Sequence, residues 1–172
     1  MSKKSLLRTI GELWEESESL CALIPFERVF TGRIPQTELV RLPYVSVIST
    51  TGGKTARSDK ARYSHGPVSF HIWLDDSALE YGHRVAEAIA DVYADRCWSL
   101  GDGDKVIDVL DEGEPLSRQT VLPNVKIWEV VKLFTVCIER ARADHSDECC
   151  AEDLSSPSES ASSISSSSSS SD

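Results

Sequence analysis

Two periods of apolar residues run along this chain and predict two kinds of element. Over residues 3–22, apolar side chains recur every three or four positions, so they share one stripe of a helix. The residues of that stripe are Leu6, Leu7, Ile10, Leu13, Trp14 and Cys21. In "VSFHIWLD", from Val68 to Asp75, apolar and polar residues alternate, which is the period of a strand with one buried face. The chain therefore opens with a predicted helix, ended by Pro25, and carries a half-buried strand further on.

A second helix and four further strands complete the predicted order. Ser77 and Glu80 have the spacing of a capping box at a helix start, and the turn residues "GDGD", 101–104, are predicted to end that helix. The predicted strands are "RVFTG", "YVSVIST", "KVIDVL" and "VKIWEVVKLFTVCIER". The last is the longest and has apolar residues on both faces. The order α-β-β-β-α-β-β predicts an α+β fold, with a mainly antiparallel sheet covered by two helices.

Composition divides the chain of 172 residues into two parts. Residues 1–143 carry 18 basic and 21 acidic side chains and are long enough for a single domain with its own core. Residues 144–172 carry −7 of the formal charge of −10, and 13 of the last 18 residues are serine. A segment so poor in apolar residues gains too little burial to offset its conformational entropy. We therefore expect residues 144–172 to form a disordered, acidic, serine-rich tail.

The five cysteines are odd in number and irregularly spaced. Cys21, Cys97 and Cys137 lie within apolar patterns, where a free thiol behaves as a small core residue. The sequence opens with no secretory signal pattern and contains no apolar run near the roughly 20 residues that span a bilayer. We expect a protein made in a reducing cytosol, with no membrane partner.

The stretch "STTGGKTARSDK", residues 49–60, contains the last letters of a phosphate-binding loop. That loop requires a first glycine five positions before Gly53, where this chain has Ile48, and an amphipathic helix directly afterwards. The segment up to Pro67 has almost no large apolar residues. The pattern fails in spacing and in context, and we predict no nucleotide cofactor.

Basic residues are concentrated in the same stretch. Lys54, Arg57, Lys60 and Arg62 stand against Asp59, a net charge of +3 on an otherwise acidic chain. Such a run is most simply a solvated hairpin loop. The alternative is an arm that contacts a partner subunit or the backbone of nucleic acid, and these four residues are the candidate interaction site.

Residues for catalysis or metal binding do not form a convincing set. His71, Asp75 and His83 make a conceivable metal site, but no Cys or His pair has zinc spacing, and "GDGDKVID" lacks the closing glutamate of a calcium loop. No serine or cysteine stands in a nucleophile signature. The sequence predicts neither an enzyme nor a bound cofactor or metal.

The order of elements and several short segments resemble a known family. The segments are "RVFTGRIP", "LPYVSV" and "FHIWLDDSALEYGHRVAEAIADV", within a resemblance that spans about residues 3 to 140. The chain resembles the tail-completion proteins of long-tailed bacteriophages, also called tail terminators or tail-to-head joining proteins.

This resemblance implies a structural virion protein at the head-proximal end of the tail, assembled in the host cytoplasm. Members form a ring, typically a hexamer, that caps the tail tube, stops its polymerisation and offers a docking surface to the head. The implied partners are other copies of the chain, the tail tube protein and a head-completion or connector protein, with DNA passing through the lumen. The alternative from the residues alone is a cytosolic protein-binding module whose acidic serine tail is phosphorylated.

Overall fold

The computed structural model describes residues 5–32, 41–50, 55–57, 62–101, 103–122 and 125–141. The predicted disordered tail, and with it the boundary between residues 1–143 and 144–172, lies outside the described residues. Both stay predictions.

The predicted opening helix is divided in two at Ser17. Helix α1, Leu6–Glu16, begins at Ser5, whose hydroxyl accepts a hydrogen bond from the Arg8 N–H at 3.2 Å. Ser17 has an extended backbone, and its hydroxyl accepts from the Leu20 N–H at 3.4 Å, so it caps the start of α2, Glu18–Leu23. A serine that bonds to the backbone competes with the helix ladder, which explains the break. A single 3₁₀ turn, Phe26–Arg28, follows.

Helix α3 spans Leu79–Tyr93, and both of its predicted ends were wrong. The N-cap is Ala78, not Ser77, because the Ala78 N–H closes a turn onto the Asp75 carbonyl at 3.0 Å. The helix ends eight residues before "GDGD", of which Gly101 ends one strand, Gly103 lies in a turn and Asp104 begins the next strand. Gly103 in that turn has φ of +80°, a conformation that favours glycine.

The described chain contains eight strands in one sheet, where five were predicted. They are β1 Val29–Thr31, β2 Tyr44–Ser49, β3 Thr55–Arg57, β4 Arg62–Asp75, β5 Trp98–Gly101, β6 Asp104–Asp111, β7 Leu116–Leu122 and β8 Val125–Arg140. The strand order is β1-β2-β4-β8-β6-β5, with β3 also paired to β4 and β7 to β8. Every pairing is antiparallel except β1 with β2. The α+β class with a mainly antiparallel sheet is confirmed, with three helices rather than two.

Two of the stretches that were not predicted as strands are polar segments that pair with the apolar strand β8. β5 was missed for another reason, since it lies where the second helix was predicted to continue. β4 begins at Arg62 rather than Val68, and β7 occupies part of the segment predicted as turns. Neither stretch shows the alternation that marks a strand, because neither has a face against the core. Backbone pairing to β8 holds both in the sheet.

The core lies between the three helices and one face of the sheet. Phe70 of β4 is at its centre, with ring centroids 5.1 Å from Tyr93, 5.7 Å from Phe134 and 6.4 Å from Trp14. The polar ends of these aromatic residues are satisfied: Trp14 Nε1 donates to the Ile24 carbonyl at 3.0 Å, and the Tyr93 hydroxyl to the Ile10 carbonyl at 2.8 Å. These bonds join α1 to the end of α2 and to α3.

Lys132 of β8 is a buried cation at the edge of the core. Its ammonium lies 2.6 Å from Asp111 Oδ1 and donates to the Gly113 carbonyl at 2.6 Å. Asp111 ends β6, and Gly113 lies in the turn before β7. Lys132 therefore fixes the point along one edge of β8 at which pairing with β6 ends and pairing with β7 begins.

At Gly82, α3 packs so closely on the sheet that there is no room for a Cβ atom. An added Cβ would clash with Leu74 Cδ1 and lie 2.9 Å from Val130 Cγ2. We predict that Gly82→Ala lowers the free energy of unfolding by about 2 kcal/mol, because overpacking outweighs the gain in helix propensity. Gly11 in α1 is the matched control, since its Cβ would find Phe26 at an ordinary 3.5 Å. Equal stability of the two variants in urea unfolding would contradict this packing.

Burial raises the pKa of the Tyr93 phenol far above its ordinary value, and the Cys21 side chain adds to the shift. Above pH 10, roughly the pKa of an unperturbed phenol, the unfolded chain releases this proton and the folded chain keeps it. The free energy of unfolding should then fall by about 1.4 kcal/mol per pH unit from this group. We predict that Tyr93→Phe is about 1 kcal/mol less stable than the parent at pH 8, through loss of the hydrogen bond. The deficit should close as the pH rises; a deficit that stays constant would be the contrary result.

Candidate interaction surface

One face of the sheet is not covered by any described helix. All three helices pack on the side that bears Phe70 and Phe134. Directly paired residues of neighbouring strands point to the same face, so the register identifies the opposite side. That side carries, in successive rows, Tyr44–Trp73–Glu129–Arg118, Ser46–His71–Val131–Leu116 and Ile48–Ser69–Leu133, and Leu110 beside Thr135. We call this side the open face.

Apolar side chains cross the open face in a band. Ile48 is 43% exposed, Leu110 52% and Leu116 64%, and half-buried Val131 and Leu133 lie between them. Three of the four large apolar side chains that are exposed in the described chain thus share one face. Apolar residues grouped in this way mark protein contact sites more often than isolated ones do.

A polar network lies beside the band. His71 Nδ1 is 2.7 Å from Glu129 Oε1, and His71 Nε2 is 2.9 Å from the Ser69 hydroxyl. Glu129 is only 2% exposed, and Arg118 Nε approaches its second oxygen at 2.5 Å, off the line of a hydrogen bond. In the neutral tautomer of His71 that donates its Nδ1–H to Glu129, Nε2 accepts a hydrogen bond from the Ser69 hydroxyl. Buried carboxylates need such partners.

The order Ser69–His71–Glu129 is that of a nucleophile, a base and an orienting acid, but a hydrolase also needs donors for the oxyanion. β4 is paired on both edges at Ser69, to Ile48 and to Leu133, so its backbone N–H groups are engaged in the sheet. The geometry supports a structural network rather than acyl transfer. Sequence reasoning missed it, because Glu129 reads as one polar residue within an apolar strand.

We predict that Arg118→Ala lowers the free energy of unfolding by about 1–2 kcal/mol, since it leaves the Glu129 carboxylate buried with one partner. In a Glu129→Gln background the same change should cost almost nothing, which a double-mutant cycle by urea unfolding measures. Lys105→Ala is the control: its partner Glu139, 3.0 Å away, is 27% exposed against 2% for Glu129, so the carboxylate left behind is solvated and little change is expected. An Arg118 effect that persists in the Gln background would contradict the pairing.

The four basic residues predicted as an interaction site are only partly described. Lys54 and Lys60 lie outside the described residues, and so does the side chain of Arg57. In the backbone register, Arg57 of β3 pairs with Arg62 of β4, and Arg62 pairs with Arg140 of β8 on its other side. We call these three residues the arginine row. Arg140 was missed, since strand pairing alone brings it there.

The histidines and cysteines take up separate positions. His83 Nε2 lies 3.1 Å from the Ser117 hydroxyl and His71 is in its own network, so the two do not share a site. No group of metal-ligating side chains occurs among the described residues. Cys137 is buried and Cys21 half-buried, but Cys97 is exposed, which corrects its predicted core position. The helix ends at Tyr93 and leaves Cys97 in the connection to β5.

A small cavity of about 260 Å³ lies beside β1, lined by Glu27, Arg28, Phe30, Arg41 and Tyr44. It is smaller than the pockets of about 300–1,000 Å³ that enclose most small ligands. In the described part of the chain, no helix combines the length and the apolar character needed to cross a bilayer.

Comparison with known proteins shows that this chain has a fold similar to that of a solved structure. No protein-family model and no curated protein matches this sequence. A solved chain of the "Virion of native gene transfer agent (GTA) particle" is similar, with a TM-score of 0.62 over 79% of this chain and 96% of that chain. The two chains share a fold. Their sequence identity is 14%, so the likeness concerns the fold alone.

Proposed function

We propose that this protein is a structural component of a phage-like virion, and that it acts as a tail terminator. In this role, copies of the chain form a ring, typically of six, that caps the tail tube and stops its polymerisation. The ring presents a docking surface to a head-completion or connector protein and encloses the path of the DNA. The protein resides in the virion at the head-proximal end of the tail, after assembly in the host cytoplasm.

The open face is the observation that carries this proposal. A monomer that leaves Ile48, Leu110 and Leu116 exposed on a sheet has an apolar surface suited to a protein contact. We assign that contact to a second copy of the chain. Because open face against open face would be a two-fold contact that stops at a dimer, the proposal pairs the open face with a different surface of the next copy. Such head-to-tail contacts close into rings when the rotation permits.

Two further observations support the proposal. The fold is shared with a chain of a gene transfer agent virion, and the segments around "RVFTGRIP" and "LPYVSV" resemble tail-completion proteins. The described site also suits a passive role, since the β4 backbone N–H groups beside Ser69 are engaged in the sheet and do not serve as oxyanion donors. A building block requires shape and contact surfaces, and the proposal assigns it no cofactor and no reaction.

We predict that the purified chain forms particles with the mass of six 19.0 kDa chains, alone or on added tail tubes. Replacing Ile48, Leu110 and Leu116 together by serine should weaken association by more than about 100-fold, since it removes about 3 kcal/mol of apolar burial. Light scattering after size exclusion and negative-stain microscopy measure both results.

Val121→Ser is the matched control, because Val121 is 66% exposed but pairs with Lys126 on the helical side of the sheet. All of these positions are exposed, so the variants should keep the parent's unfolding free energy within about 0.5 kcal/mol each. Rings that survive the triple substitution would refute the open face as the contact. A chain that stays monomeric in solution and on tubes would refute the terminator role itself.

A further inference from the structure

The sheet extends beyond the core at one corner. β4 has 14 residues, about 46 Å of extended chain, whereas the 15 residues of α3 cover about 22 Å. Residues 68–74 of β4 are alternately buried, but none of residues 62–67 is. β3 pairs with this uncovered part. We call β3 and residues 62–67 the arm.

The arginine row lies across the arm and the end of β8. Arg62 and Arg140 are both exposed and directly opposite each other, an arrangement in which like charges repel. Arg140 donates to the Ser64 hydroxyl at 3.5 Å, and no described carboxylate is within ion-pair distance of either guanidinium. A folded monomer gains nothing from this repulsion. An anionic surface brought from outside would relieve it.

The same chain offers such a surface at the junction of α1 and α2. Glu15, Glu16 and Glu18 are all exposed within four residues, because the Ser17 break turns the chain there. Glu12 already pairs with Arg8 at 3.2 Å, whereas these three have no ion-pair partner among the described residues. We call them the acidic corner. The formal charge of −10 makes copies repel one another unless opposite charges are brought together.

We propose that the arginine row of one copy binds the acidic corner of the next copy in the ring. This inference rests on the proposed function and names its electrostatic contact. The arginine row and the acidic corner are two unlike surfaces of the same chain, so a contact between them runs head to tail and repeats around the ring. Guanidinium groups suit carboxylates because both are planar and pair through two parallel hydrogen bonds. The contact sets orientation, and the apolar open face supplies the larger area.

Charge reversal of each surface, alone and together, tests the pairing. The arm variant carries Arg62→Glu and Arg140→Glu, and the corner variant carries Glu15→Lys, Glu16→Lys and Glu18→Lys. Each alone should associate about 100-fold more weakly than the parent, since like charges then face each other. An equimolar mixture should restore rings in which the two variants alternate, and so should one chain carrying both sets. A tag on one variant shows the alternation by mass.

The control is Arg84→Glu with Arg96→Glu, which changes one exposed arginine of α3 and one in the connection after it and gives the same change in net charge as the arm variant. This control should form rings as the parent does. Parent rings should also weaken between about 0.1 and 0.5 M NaCl, where the screening length falls below about 10 Å. Circular dichroism and urea unfolding check that every variant is folded.

Each other outcome overturns the inference. An arm variant with parent-like rings removes the arginine row from the contact. Single variants that fail and are not rescued by mixing or combination show that these two surfaces do not face each other. Intact rings with weakened binding to a 30-base-pair DNA duplex would assign the row to nucleic acid instead. A parent chain that never forms rings, even on tail tubes, refutes the proposed function, whereas the other results leave it standing.

Discussion

The pairing of β4 with β8 is the constraint on which the rest of the structure depends. The two strands are in register over 14 residue pairs, which makes a strip far longer than one short helix can cover. The helices are placed over Phe70 and Phe134, and the aromatic cluster there stabilises one half of one face. Much of the rest of the strip, which includes the arm and the apolar band of the open face, is left to solvent or to another molecule. The surfaces suited to assembly are therefore the parts of these two strands that the helices leave uncovered.

The buried Glu129 narrows the range of surfaces that can cover the open face. Its charge is held by Arg118 and His71, both on that face, so a partner that displaced Arg118 would leave a carboxylate without its cation. An apolar band alone binds many surfaces with little discrimination. A band with a fixed polar network beside it accepts only partners that leave the network intact or complete it. The apolar band thus supplies affinity and the polar network beside it supplies selectivity, and both lie on the same strands.

The fold class could be read from the sequence because core-facing residues impose a period. Val68 to Leu74 alternate and lie in a strand, and the stripe from Leu6 to Trp14 repeats every three or four residues and lies in a helix. Their bounds differ from the prediction, since the strand begins at Arg62 and the helix ends at Glu16. Elements without a core face, such as β7 and the start of β4, left no period to detect. The break at Ser17 depends on a hydroxyl that bonds to Leu20 N–H, and composition does not reveal that choice. The arginine row could be predicted only in part. The local concentration of basic residues pointed to Arg57 and Arg62, whereas Arg140 lies beside them only because β4 and β8, which are far apart in sequence, pair in the sheet.

Lys132 has a consequence for the edge of β8 along which β6 and β7 pair. β6 and β7 lie end to end along the same edge of β8, and the ammonium of Lys132 clasps the turn between them through Asp111 and the Gly113 carbonyl. The Glu112 N–H continues the ladder there by donating to the Leu133 carbonyl at 3.1 Å. The edge of β8 therefore stays covered where one partner strand ends and the next begins. Without this clasp the turn could leave that edge, and unpaired backbone N–H and C=O groups of β8 would then be open to an edge strand of another molecule.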